Sequence, residues 1–173
     1  MIRLPIGKSL KELIKSGQLF KLEDNKKLND MDNFTENNDF LKKTNPRDLI
    51  SMGMKFGRQK KFEDALQMFE AYLAIDPWDP LIINNKADCY VGMKKFDDAK
   101  EIELYALTLN PRLAIGWVTL GEIQSLTNEK FSARLNIEQA EKLSKKDDNV
   151  YPVIKEHLKN LKNDKPLNTN IYL

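Results

Sequence analysis

The chain is poor in nearly everything that would mark it for chemistry or for a membrane. Its 173 residues include one cysteine, Cys89, and one histidine, His157. A single thiol cannot close an intramolecular disulfide, and a lone imidazole cannot by itself supply a zinc site. A reducing interior without metal or cofactor is expected. The longest uncharged apolar stretch, Leu113 to Gly121, is half of the roughly 18 residues needed to span a bilayer. At the start, Pro5, Lys8 and Lys11 interrupt any apolar run, which argues against a signal peptide and for a cytoplasmic protein. Neither sign of charge dominates: 28 Lys+Arg oppose 26 Asp+Glu, for a formal net charge of +2. Charges spread along the whole chain argue against a dedicated nucleic-acid surface. With only 7 Gly and 7 Pro as punctuation, and much Lys, Leu, Glu and Ala, a helical protein is favoured over a sandwich or barrel.

Catalytic signatures are missing as well. The sequence has no Gly-rich phosphate loop, no Cys-x-x-Cys pair, no HExxH spacing and no evident nucleophile–base arrangement, so no enzyme is expected. Cys89 falls mid-helix beside Tyr90, where a small buried residue is expected. His157 reads as a partly exposed surface or boundary residue rather than a base. Asp97-Asp98 and Asp147-Asp148 stand where helices begin, and there capping and dipole complementarity explain them better than metal binding does.

What the sequence does have is a repeat. Ala65, Ala99 and Ala133 are spaced by 34 residues, as are Gly53, Ala87 and Gly121; the same shift relates Phe62 to Phe96, Phe56 to Tyr90 and Pro77 to Pro111. Asn45-Pro46 and Asp79-Pro80 obey it too, each offering an N-cap oxygen and a proline at the first helical position. Within a unit, apolar residues recur at helical spacing: Leu49, Gly53 and Phe56, then Phe62, Ala65, Phe69 and Leu73. The pattern predicts an all-α, right-handed α-solenoid of three helical hairpins, at 46–79, 80–113 and 114–147, whose apolar stripes are hidden by stacking. A capping helix is expected at 148–162, started by Asp147-Asp148-Asn149 with Val150, Ile154, His157, Leu158 and Leu161 on one side. Residues 163–173 read as a frayed tail. Residues 1–45 read as a flexible region with a short amphipathic helix around Leu10, Leu13 and Ile14, a candidate contact for a homodimer, followed by a polar linker from Glu23 to Thr44.

At these residues the chain resembles the tetratricopeptide-repeat family, over about residues 46 to 145. The best stretch is Trp117-Val-Thr-Leu120-Gly121, completed by Ala133 and Ala140. Lys86, Glu103 and Lys145 depart from the family pattern at a large apolar position, an aromatic position and a closing proline. The segment from Ile75 to Asp79, with Cys89 and Met93 to Ala99, is further similar to the small three-repeat chaperones of bacterial type III secretion translocators.

The resemblance implies a concave wall built by the first helix of each hairpin, where an extended peptide can lie. Inward positions then fall at Ile50, Met54, Leu81, Asn84, Asp88, Val91, Ile115, Val118, Glu122 and Ser125. The alternative for Ile50, Leu81, Ile115 and Val118 is packing against a terminal helix or a second copy. The branch of the family that grips a C-terminal carboxylate uses Lys and Asn at positions held here by Ile50 and Met54. Asn85 alone survives of that pattern, and Ile115 and Thr119 replace its later basic residues, so a carboxylate clamp is not expected. The implied partner is a protein client bound as an extended segment, with no nucleic acid and no stable membrane insertion. Two functions follow: a cytoplasmic chaperone for a secretion translocator or related client, or a scaffold joining subunits of another assembly.

Overall fold

The computed structural model describes residues 44–146, 148–163, 165 and 167. The expected N-terminal helix, nearly all of the polar linker after it and most of the tail lie outside the described residues. Among the described residues there are seven helices and no strand: α1 (Pro46–Arg58), α2 (Phe62–Leu73), α3 (Pro80–Gly92), α4 (Phe96–Leu109), α5 (Ala114–Leu126), α6 (Lys130–Leu143) and α7 (Tyr151–Lys162). Each helix packs on the next, and α3 also reaches α5. This is an all-α solenoid of three hairpins, α1–α2, α3–α4 and α5–α6, followed by α7.

The helix starts follow from the caps. Asn45 Oδ1 accepts a hydrogen bond from the Arg47 amide at 2.9 Å, and Asp79 Oδ1 accepts from the Leu81 and Ile82 amides at 2.9 and 3.3 Å. These satisfy amides that have no partner within the helix. The other oxygen of Asp79 accepts from the Tyr72 hydroxyl at 3.1 Å, so one carboxylate both starts α3 and ties it to α2. The expected cap of α7 is corrected. Its N-cap is Val150, with no side-chain bond, because Asp148 Oδ2 accepts from the Lys145 amide at 2.6 Å and is occupied in the preceding turn.

The turn inside each hairpin closes in the same way. Lys60, Lys94 and Asn128, again 34 residues apart, have φ of 60°, 60° and 65°. After each of them an amide reaches back five residues: Lys61 N to Phe56 O at 3.0 Å, Lys95 N to Tyr90 O at 2.9 Å, Glu129 N to Gln124 O at 2.7 Å. A left-handed residue followed by this long bond satisfies the last carbonyls of the first helix and turns the chain for the second.

Small residues set how closely the helices approach. Ala65, Ala99 and Ala133 are all fully buried. A Cβ placed on Gly53 would lie 2.6 Å from Phe69 Cε1, and one on Gly121 would lie 2.8 Å from Ile137 Cδ1. Only glycine leaves room for these side chains against α1 and α5. Phe69 and Ile137 occupy the same register in their hairpins, and in the middle hairpin that register is held by Glu103. Lys86, the other departure inside the middle repeat, pairs its Nζ with Glu70 Oε1 at 2.9 Å and so links α3 to α2 from a partly buried site.

Candidate functional site

The inward wall of the first helices is the only candidate site that the sequence singled out. The structure places its residues in three different states. Leu81 is open, with 48% of its surface exposed. Ile50 and Met54 are half-buried and pack against the cluster of Ala65, Phe69, Ile82 and Cys89. Ile115 is half-buried against the C-terminal cluster, and Ser125 is also half-buried.

The remaining positions are closed. Asn84, Asp88, Val91, Val118 and Glu122 are all buried. For Val118 the alternative of packing against a terminal helix holds: it is fully buried with Ile137, Ala140, Ile154 and Leu167. The physical reason is α7, which brings Ile154 against the residues that the third hairpin would otherwise expose. Leu167 belongs to the stretch expected to fray, yet it is buried in the same cluster. Val91 packs with Ala99 and Ile123 between the second and third repeats.

The buried polar residues form two groups along this wall. In the first, Asp88 Oδ2 accepts from Asn84 Nδ2 and Asp88 Oδ1 accepts from Thr119 Oγ1, both at 3.4 Å, which joins α3 to α5. Glu103 is fully buried on α4, and neither of its carboxylate oxygens has a hydrogen-bond partner. A Cβ at Gly116 would sit 2.6 Å from its Oε1, so glycine at that position makes the space Glu103 fills. Burial, and secondarily the negative charge of Asp88, holds the Glu103 carboxyl well above the usual carboxylate range. The sequence flagged Glu103 as a departure without indicating that it would be buried.

In the second group, His157 Nε2 and Glu122 Oε1 are 2.5 Å apart and both side chains are buried. The expectation of a partly exposed histidine is thus corrected. His157 lies on the same side of α7 as Ile154, and the sequence pattern placed it there; only the depth to which α7 sinks was not legible. Cys89 is fully buried, and burial with the nearby Asp88 pushes its thiol up to about 12. At neutral pH it is a protonated packing group with no thiolate to offer. Among the described residues no three His, Cys, Asp or Glu side chains converge as a metal site, and no helix is long and apolar enough to cross a membrane.

A stack of helical hairpins with an inward wall defines a class of helical repeat proteins. The comparisons show which repeat fold this is. Residues 58–102 match the tetratricopeptide repeat family, and the described part of the chain is a tetratricopeptide-repeat solenoid. A 55-residue stretch is 42% identical to the Hsp70-Hsp90 organising protein of Plasmodium falciparum (isolate 3D7). That match covers 32% of this chain and 10% of the relative's length. Among solved structures, the first TPR of Spaghetti (RPAP3) bound to the HSP90 peptide SRMEEVD is similar with a TM-score of 0.59 and 21% identity, covering 69% of this chain and 91% of that one. The type III secretion translocator chaperone SycD of Yersinia enterocolitica is similar with a TM-score of 0.61 and 18% identity, covering 68% and 83%. The Sgt2 TPR domain of Aspergillus fumigatus gives 0.62 and 20%, covering 69% and 78%. At these identities the structures share the fold.

Proposed function

We propose that this tetratricopeptide-repeat protein binds an extended protein segment along the inner wall of its first helices, and that it acts as a chaperone masking apolar residues of its client. The observation that carries this reading is the chemistry of the wall. Leu81 is exposed, Ile115 in its register is half-buried, Ile50 and Met54 are half-buried on α1, and the one basic side chain in this register is the exposed Arg47 at the start of α1. Such a surface suits spaced apolar side chains. The two positions that hold Lys and Asn in the carboxylate-gripping branch are Ile50 and Met54 here, and both pack against the core of the first hairpin. Burial of each apolar side chain contributes roughly 25 cal/mol per Å² before the entropy of ordering the segment is subtracted.

Proteins of the same fold bind peptides. One is Spaghetti with its HSP90 peptide, another is SycD in complex with a peptide of the translocator YopD. The apolar wall favours as client a secretion translocator or another membrane-active protein held in the cytoplasm. A scaffold joining folded subunits is the second reading, and the buried link between α5 and α7 favours it to the extent that it makes a rigid platform.

Selection from a random displayed-peptide library, followed by titration of synthetic peptides with free and amidated C-termini, tests the proposal. The expected winners carry spaced apolar residues and bind equally well in both forms. Winners that end in acidic residues and lose affinity on amidation would contradict it, and a complete lack of peptide ligands, with folded domains bound instead, would favour the scaffold.

A further inference from the structure

The chain after α7 is anchored beside the inner wall. Lys165 N donates to Asn160 O at 2.8 Å, a bond with the same five-residue reach that closes each of the three hairpins. It satisfies a carbonyl in the last turn of α7 and turns the chain back. Two residues on, Leu167 is buried in the cluster of Val118, Ile137, Ala140 and Ile154, against which Ile115 also packs. Val118 and Ile115 are the expected inward positions at the start of α5. After Leu167 the sequence continues Asn168-Thr169-Asn170-Ile171-Tyr172-Leu173.

The open part of the wall and this segment match in chemistry. Leu81 is exposed, and Ile115 is half-buried in the same register one repeat on. The polar groups deeper in the wall are engaged: Asp88 with Asn84 and Thr119, and Glu122 with His157. What the wall still accepts is apolar. Residues 168–173 carry no charged side chain, and in an extended segment Ile171 and Leu173 point to one side, about 7 Å apart. The reach is sufficient as well. Val118 to Ile115 is one helical turn, about 5 Å, and α5 to α3 is one helix spacing, about 10 Å. Ile171 and Leu173 stand four and six residues beyond Leu167, which spans about 13–20 Å of extended chain.

We infer that residues 168–173 fill the open part of the inner wall in the free protein, with Ile171 and Leu173 against Ile115 and Leu81. A client must then displace them, a consequence that rests on the inner wall being the recognition surface. The contact needs little intrinsic strength. So short a tether holds the segment at an effective concentration on the order of 1 mM, and a contact with a Kd of about 0.3 mM as a free peptide is then made in about three-quarters of the molecules. The apparent Kd of a client rises about fourfold in proportion.

Paramagnetic broadening in the full chain tests the inference. Cys89 is buried and its thiol is pushed up to about 12, so at neutral pH a nitroxide reagent modifies the thiol introduced by Asn170→Cys and leaves Cys89 alone. Strong broadening of the Leu81 methyl signals is expected. It should be largely lost when Ile171→Asp and Leu173→Asp are added, at an unchanged thermal midpoint, and the milder pair Ile171→Ser and Leu173→Ser should act in the same direction. Leu81 signals that are sharp in the labelled chain, or broadened regardless of these substitutions, overturn the inference. Broadening passed from a spin-labelled chain to a separate isotope-enriched one overturns it in favour of a second copy. Titration with a library-selected peptide separates the contact from the client site, since the Asp pair at 171 and 173 should tighten binding about fourfold. If Leu81→Asp leaves peptide affinity unchanged while the broadening behaves as expected, the contact stands and the client site lies elsewhere. If Leu81→Asp weakens the peptide but the Asp pair moves neither the broadening nor the affinity, the wall remains the client site and the inference falls.

Discussion

Glu103 stands where Phe69 and Ile137 fill the neighbouring hairpins, and it shows what a single residue can cost this fold. Its carboxyl is fully buried without a hydrogen-bond partner, a state that costs about 1–3 kcal/mol for an unsatisfied polar group and more for a charged one. Glu103→Leu should therefore stabilise the protein by about 1–3 kcal/mol in chemical denaturation. The pH dependence has a definite sign, because the folded carboxyl titrates above its unfolded value of about 4.3. Below that value both states are protonated and nothing is lost. As pH rises from about 4.3 to the raised folded value, the unfolded chain releases a proton that the folded chain keeps, so stability falls by up to about 1.4 kcal/mol per pH unit. Glu103→Gln should remove this part of the pH dependence, and a wild-type profile parallel to that of the variant would contradict the assignment. Lys86, the other departure in the middle repeat, carries no such cost because Glu70 meets it.

At the scale of elements, the three hairpin turns repeat a feature that side-chain types do not announce. Lysine at φ of 60° in Lys60 and Lys94 is a left-handed residue without the freedom of glycine, so Lys94→Gly should raise stability by a net of about 0.5–1 kcal/mol after the unfolded-state entropy of glycine is counted. An unchanged or lower thermal midpoint would show that the turn relaxes in solution. For α7 the relevant residue is Ile154, fully buried against Val118, Ile137 and Ala140. Ile154→Ala should cost about 2–5 kcal/mol and accelerate amide exchange in α7 and α5 together, while α1 and α2 remain protected. The hairpins were legible in the sequence because their spacing, caps and small residues all recur with one period. The depth of α7 was not. Periodicity gave the side of α7 that holds Ile154 and His157, but how far it sinks depends on its fit with α5 and α6, which no local pattern carries. The cap assigned to Asp148 failed for a related reason: a short polar side chain can serve the turn before it or the helix after it, and composition does not choose.

For the whole molecule, direction and exposure are separate quantities. Helical register grouped the expected inward residues of α1, α3 and α5 by direction, and the stack buries half of them. Asn84 and Asp88 join α3 to α5 through Thr119, Glu122 meets His157, and Val118 lies under α7. What remains open to a client centres on Leu81, with Ile50, Met54 and Ile115 half-covered beside it. The proposed client would use that part of the wall. Val118→Asp would bury a charge and unfold the last repeat, so it cannot separate binding from folding; Leu81→Asp can, since its side chain already meets water. The decisive measurement is a titration of wild type and Leu81→Asp with one library-selected peptide, each protein checked for its thermal midpoint. Desolvating an unpaired carboxylate on binding costs several kcal/mol, so the account predicts a loss of affinity of at least about tenfold, with a midpoint within a few degrees of wild type. Undiminished affinity in the folded variant would contradict recognition by the inner wall.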